Sequence, residues 1–109
     1  MKILREYGIS DKKLRYNLIK GSGTSIADMV GQRVEVAAYA LIEVEDQNGD
    51  PVETLKVITK DGEICGTRSK SFISGFCDFL DCMETDQCDE FEVVKVRSKA
   101  GRDYITFKA

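Results

Sequence analysis

The sequence predicts a mainly β fold in which one long, bent strand organises the rest and a single helix closes one end. Three observations carry this. Alternation at period two is sustained from Arg33 to Val44, with Val34, Val36, Ala38, Ala40, Ile42 and Val44 on one face. The period then changes: Phe72, Phe76, Phe79 and Met83 stand at i, i+4, i+7 and i+11, with Ile73 and Leu80 beside them, the mark of an amphipathic helix. After it, two strand-like runs flank Ser98-Lys99-Ala100-Gly101, the pattern of a hairpin.

Taken in order, residues 1–12 are charged and weakly patterned and suit a flexible arm or a short strand. Leu14 to Lys20 alternates well enough for a strand. Gly21-Ser22-Gly23-Thr24-Ser25 is a flexible loop, and Ile26 to Gly31 a turn of helix or an irregular connection. On the second face of the long strand lie Arg33, Glu35, Ala37, Tyr39, Leu41 and Glu43. Asn48-Gly49, inside the turn from Asp46 to Pro51, is the expected site of positive φ. Val52 to Lys60 returns, with Leu55, Val57 and Thr59 on one face and Thr54, Lys56, Ile58 and Lys60 on the other. Asp61-Gly62 turns tightly into a short strand from Glu63 to Thr67.

The helix runs from about Lys70 to Met83, capped by Ser69 or Ser71. Gly75 inside it costs roughly 1 kcal/mol relative to Ala, which suggests close packing there. Asp81 and Glu84 oppose the helix dipole at its C-terminal end. Phe91 to Ser98 and Arg102 to Lys108 are the closing strands. A meander, a helix and a hairpin in this order fit a five-stranded OB-fold barrel, with one helix between strands three and four plugging its open end.

The 109 residues suffice for a single domain with one modest core. Apolar content of 42% and charged content of 32% describe a globular chain. No apolar run approaches the roughly 18 residues that cross a bilayer, and Met1 to Glu6 lacks the apolar stretch of a secretory signal, so the cytoplasm is the expected compartment. Cysteines stand at 65, 77, 82 and 88. Only Cys77 and Cys82 are close, and five helical positions turn them about 140° apart, so reduced structural thiols are expected and no metal. With no histidine, no phosphate-binding glycine loop and no nucleophile elbow, an enzyme has almost no residue-level support, and no cofactor is expected.

Charge is sharply segregated. From Asp78 to Glu92 there are seven acids and no base; from Val93 onward Lys95, Arg97, Lys99, Arg102 and Lys108 face a single acid, Asp103. The net charge is −3, so the chain outside the acidic block sums to +4 (−3 minus −7). A basic hairpin is a common device for holding a polyanion. Lys56, Ile58 and Lys60 on the return strand, with Tyr39 on the long strand, offer the ring and the cations that sequence-tolerant single-strand binding needs. Tyr16 beside Arg15 and Tyr104 beside Arg102 would extend that surface. The alternative for each tyrosine is a partly buried rim position with a satisfied hydroxyl, the more so for Tyr16 and Tyr104.

From about Gly31 to Phe107 the chain resembles the small single-stranded DNA-binding proteins of tailed bacteriophages, of the φ29 kind. The likeness rests on Gly31-Gln32-Arg33-Val34-Glu35-Val36-Ala37-Ala38-Tyr39-Ala40, the Asp61-Gly62 turn, Arg68-Ser69-Lys70-Ser71 entering the helix, and Ser98-Lys99-Ala100-Gly101-Arg102-Asp103-Tyr104. The resemblance implies an OB fold, single-stranded DNA as partner, coating of single strands during replication, and contacts in the basic segments, Arg68 among them. Bacterial single-strand binders end in an acidic tail, whereas this chain ends Phe107-Lys108-Ala109. The acidic block 78–92 is then a candidate docking surface for a replication or host protein. A second class stays open beside the first: an acidic protein-binding module or inhibitor acting as a nucleic-acid mimic, for which a pI near 5.0 speaks.

Overall fold

The computed structural model describes all 109 residues. In chain order the elements are β1 (Lys2–Tyr7), α1 (Lys12–Lys20), β2 (Thr24–Ser25), a 3₁₀ turn (Ile26–Met29), β3 (Arg33–Glu45), β4 (Pro51–Thr59), β5 (Ile64–Thr67), α2 (Lys70–Cys82), β6 (Glu90–Arg97) and β7 (Asp103–Lys108). The fold is mainly β and barrel-like, as predicted, but it holds seven strands and two α-helices in place of five strands and one. The predicted helix lies between β5 and β6.

The N-terminal alternative resolves to a strand, β1, antiparallel to β3. Leu14 to Lys20, predicted as a strand, is the helix α1. The Asp11 carboxylate caps it by accepting the Leu14 amide at 2.7 Å, and Leu18, with Ile19 beside it, turns an apolar side to the sheet. Seven residues are too few for alternation alone to separate the two periods.

One sheet runs in the order β2-β5-β4-β3-β6-β7, with β1 on β3. β3 is the spine. One of its edges pairs with β4 from Val36 to Glu45; the other pairs with β6 over Arg33–Glu35 and with β1 over Tyr39–Glu43. Its register on β4 slips between Val36 and Ala38, where two steps along β3 answer one step from Thr59 to Ile58. Ala37 is the extra residue of a β-bulge, and past it every side chain changes face.

That slip corrects the predicted faces. Val34 and Val36 point into the main core, but so do Tyr39 and Leu41, while Ala40 and Ile42 point outward to the underside of α1. Tyr39, expected as an exposed stacking ring, is fully buried. Its ring meets Phe76 edge-on at 4.8 Å between centroids, and its hydroxyl donates to the Asp86 carbonyl. Burial, reinforced by the Asp86 charge, pushes its phenol well above the usual range.

α2 lays its apolar stripe on the inner face of the sheet. Phe107 of β7 sits amid Phe72, Phe76, Phe79 and Phe91, with ring centroids 5.4–5.9 Å away. Ser69 caps α2 by accepting the Phe72 amide, and a Cβ at Gly75 would stand 3.2 Å from the Phe107 Cβ, the close packing expected there. A second, smaller cluster lies on the outer face, where Leu18 of α1 covers Ala40 and Ile42. Complete burial of one leucine side chain contributes about 1.5–3 kcal/mol.

Substituting Tyr39 separates a core role from a stacking role. Tyr39→Phe, which loses one buried hydrogen bond, is expected to lower stability by about 1 kcal/mol. Tyr39→Ala is expected to lower it by about 3–5 kcal/mol. Urea unfolding monitored by far-UV circular dichroism measures both, and an undiminished midpoint in Tyr39→Ala would contradict the packing.

Candidate nucleic-acid interface

The outer face of β4 and β5 builds a small basic hollow from the residues upward. Antiparallel pairing sets Lys56 opposite Gly66 and Leu55 opposite Thr67. The stem of Lys56 lies against Gly66, where a Cβ would stand 3.3 Å from its Cδ, and its ammonium donates to the Gly21 carbonyl at 2.9 Å. This ties the loop after α1 to the sheet. β2 follows and adds in parallel to β5; a Cβ on Gly23 would fall 1.8 Å from the Ile64 carbonyl oxygen, so only glycine permits that approach.

The resulting depression, about 280 Å³, is lined by Gly23, Thr24, Ser25, Thr54, Lys56, Ile64, Cys65, Gly66, Thr67 and Arg68. Arg68 is exposed and anchored by Nε, which donates to Thr54 Oγ1 at 3.2 Å. Its terminal guanidinium nitrogens stay available for a bidentate contact. Hydroxyls, two cations and no carboxylate make up the polar lining.

A larger cleft of about 760 Å³ opens between α2 and the β3–β4 turn. It carries Glu43, Asp46, Asp50, Glu53 and Asp78 against Arg68 and Lys70. Five carboxylates against two cations repel a polyanion, so size does not mark the nucleic-acid site here.

The other predicted site residues distribute as follows. Ile58 is half-buried beneath α1 within the outer cluster. Lys60 is exposed, but Glu35 stands 3.9 Å from it, and Asp61 and Glu63 share its surroundings. Arg15 is spent on Glu6, with hydrogen bonds of 2.7 and 3.0 Å. Tyr16 is free on α1, 64% exposed.

The basic hairpin divides between two faces. Lys95 and Arg97 continue the face of Phe91 and Val93, and both approach Asp103, at 3.3 and 3.7 Å. Tyr104 pairs with Val96 and points the opposite way, 41% exposed. Lys99 and Arg102 stand exposed at the turn.

Three of the seven acids in the acidic block are held by cations within the molecule. Arg5 of β1 bridges Asp81 at 2.8 Å and Asp86 at 2.9 Å, and Arg33 pairs with Glu90 at 3.1 Å. Burial disfavours the charge on Arg5, but the bonds to Asp86 and Asp81 outweigh it and hold the guanidinium more firmly protonated. The unfavourable carboxylate at the end of α2 thus receives a cation from a strand far away in sequence, a pairing no local pattern announces.

Residues 10–109 match the model of the Phi29 type described as Phage Single-stranded DNA-binding protein. The chain belongs to this phage single-stranded DNA-binding family. Neither the curated proteins nor the solved structures provide a significant match. The partner class of the family is single-stranded DNA, in the setting of phage replication. Both cations of the outer hollow and all of the hairpin lie within the matched residues, whereas β1 precedes them. No helix is long and apolar enough to cross a membrane.

All four cysteines are free thiols. Burial pushes Cys65 and Cys88 up to about 11, and raises Cys77 as well. Alkylation at pH 8 is expected to modify exposed Cys82 first, and Cys65 and Cys88 only on unfolding. Mass spectrometry of a timed iodoacetamide reaction reads the order; early labelling of Cys65 would contradict the burial.

Proposed function

We propose that this chain binds single-stranded DNA without catalysis and largely without regard to sequence, during phage or mobile-element replication in the host cytoplasm. We read the barrel-like sheet as OB-type, because β3, β4, β5, α2, β6 and β7 follow that strand and helix order, with β1, α1 and β2 added outside. The hollow with Lys56 and Arg68 then lies on the second and third barrel strands, where domains of this kind hold oligonucleotides.

One observation carries the reading beyond the family. Among the five main depressions of the surface, this is the one that holds cations and no carboxylate. A phosphate entering it meets Lys56, Arg68 and the hydroxyls of Thr24, Ser25 and Thr67, and no carboxylate within the hollow itself. Such groups address the backbone, which is the same for every sequence. Lys99 and Arg102 at the hairpin turn, with Tyr104 beside them, are proposed as a second contact group that draws the strand in from a distance.

Titration of labelled oligo-dT at two salt concentrations tests this. Affinity should fall linearly on a double-logarithmic plot, with a slope of about −0.7 per phosphate neutralised. The double substitution Lys56→Gln with Arg68→Gln keeps donors for Gly21 and Thr54 while removing both charges. It should weaken binding about tenfold at low salt and reduce the slope by about 1.4. Unchanged mobility of oligo-dT under excess wild-type protein at low salt would sink the proposal.

A further inference from the structure

α1 is an addition to the barrel, and its composition is unusual: Lys12, Lys13, Arg15 and Lys20 with no acid. At about 100° per residue, Lys12, Tyr16, Lys20 and Lys13 fall within an arc of about 100°, with Tyr16 between the lysines. Leu14 and Leu18 lie on the opposite side, and Leu18 is the buried one, so the arc faces water. All four side chains of the arc are exposed.

Their charges are unclaimed. The ion pairs of the molecule involve Arg5, Arg15, Arg33, Lys60, Lys95 and Arg97, and none of these three lysines. Arg15, the cation of α1 outside the arc, is the one held by a carboxylate. The arc is also continuous with the hollow. Gly21 caps the C-terminal end of α1, its carbonyl accepts from Lys56, and Gly23, Thr24 and Ser25 form the rim.

We infer that α1 is a second single-strand contact, with Tyr16 stacking on a base and Lys12, Lys13 and Lys20 holding the flanking phosphates, so that the strand runs from the Lys56–Arg68 hollow onto the helix. This rests on the proposed function and extends its binding path. An exposed ring between cations is what sequence-tolerant stacking requires, since every base has a π-face. The tyrosine of the long strand, enclosed in the core, cannot supply that ring; Tyr16 stands in the open on the same outer side of the sheet as the hollow.

The test compares three proteins with wild type in oligo-dT titrations at two salt concentrations, reading anisotropy and intrinsic tyrosine quenching. Tyr16→Ala should weaken binding about 5- to 100-fold, while Tyr16→Phe should retain near-wild-type affinity but lose part of the quenching. Lys12→Gln, Lys13→Gln and Lys20→Gln combined should lower the salt slope by about 2. All the substituted side chains are exposed, and unchanged circular dichroism confirms that the helix persists. If Tyr16→Ala and the triple variant bind as wild type does while the Lys56/Arg68 double variant is weakened, the role of α1 is overturned and the proposed function stands. If Tyr16→Phe loses as much as Tyr16→Ala, stacking is overturned. If wild type fails to bind, both readings fall together.

Discussion

A single extra residue in β3 decides how this molecule is put together. Ala37 breaks the alternation of a thirteen-residue strand, so its first part presents Val34 and Val36 to the core and its second part presents Tyr39 and Leu41. Without the bulge, Tyr39 would face solvent and Ala40 and Ile42 would face inward. With it, one strand serves β6 and β1 along one edge, and its outer face becomes a shallow apolar seat. α1 occupies that seat because alanine at 40 leaves room for Leu18. The placement of the basic helix beside the basic hollow therefore descends from a slip of one residue in the spine.

Electrostatics follow the same geometry. The acidic stretch after α2 is gathered at one end by Arg5 and Arg33, and the wide cleft beneath the β3–β4 turn is lined mainly with carboxylates. Cations outside any ion pair remain on the outer face, at Lys56, at the exposed arc of α1, and at Arg68, which stands on the border between the hollow and the acidic cleft. On the proposed reading, a polyanion would be repelled from the wide acidic cleft and admitted to the smaller hollow. A negative total charge is compatible with this, because a phosphate responds to the local field within about 10 Å at ordinary salt and not to the sum.

Much of the fold was legible in the sequence where the pattern was long. Four aromatic and Met positions at helical spacing identified α2 to within a residue, and Asn48-Gly49 and Asp61-Gly62 marked their turns. What stayed hidden was short or non-local. Seven of the nine residues of α1 alternate in imitation of a strand, and the cap at Asp11 marks the helical reading. The bulge leaves no mark in a period-two run, because Ala37 and Ala38 fit either face. The Arg5 to Asp86 contact joins positions 81 apart. The candidate site was legible in part: Lys56 and Tyr16 were named from residue type, and Arg68 from the family resemblance. Their joining across Gly21 depends on a hydrogen bond from a side chain 35 positions away, and Lys12, Lys13 and Lys20 acquire meaning only once the segment is helical.

The two apolar clusters are very unequal, sixteen buried residues on the inside against three on the outside. Opening free energy scales with the contacts that must be surrendered, so the molecule is not uniformly robust. The barrel interior is expected to open only with the whole cooperative unit, and the outer helix at a lower free energy, because its seat is the smaller cluster. Single-strand binding at that helix would then draw part of its cost from ordering an element that is partly loose beforehand. The affinity of the outer contact would depend on temperature and denaturant more steeply than that of the hollow, giving one small domain a firm grip and a yielding one.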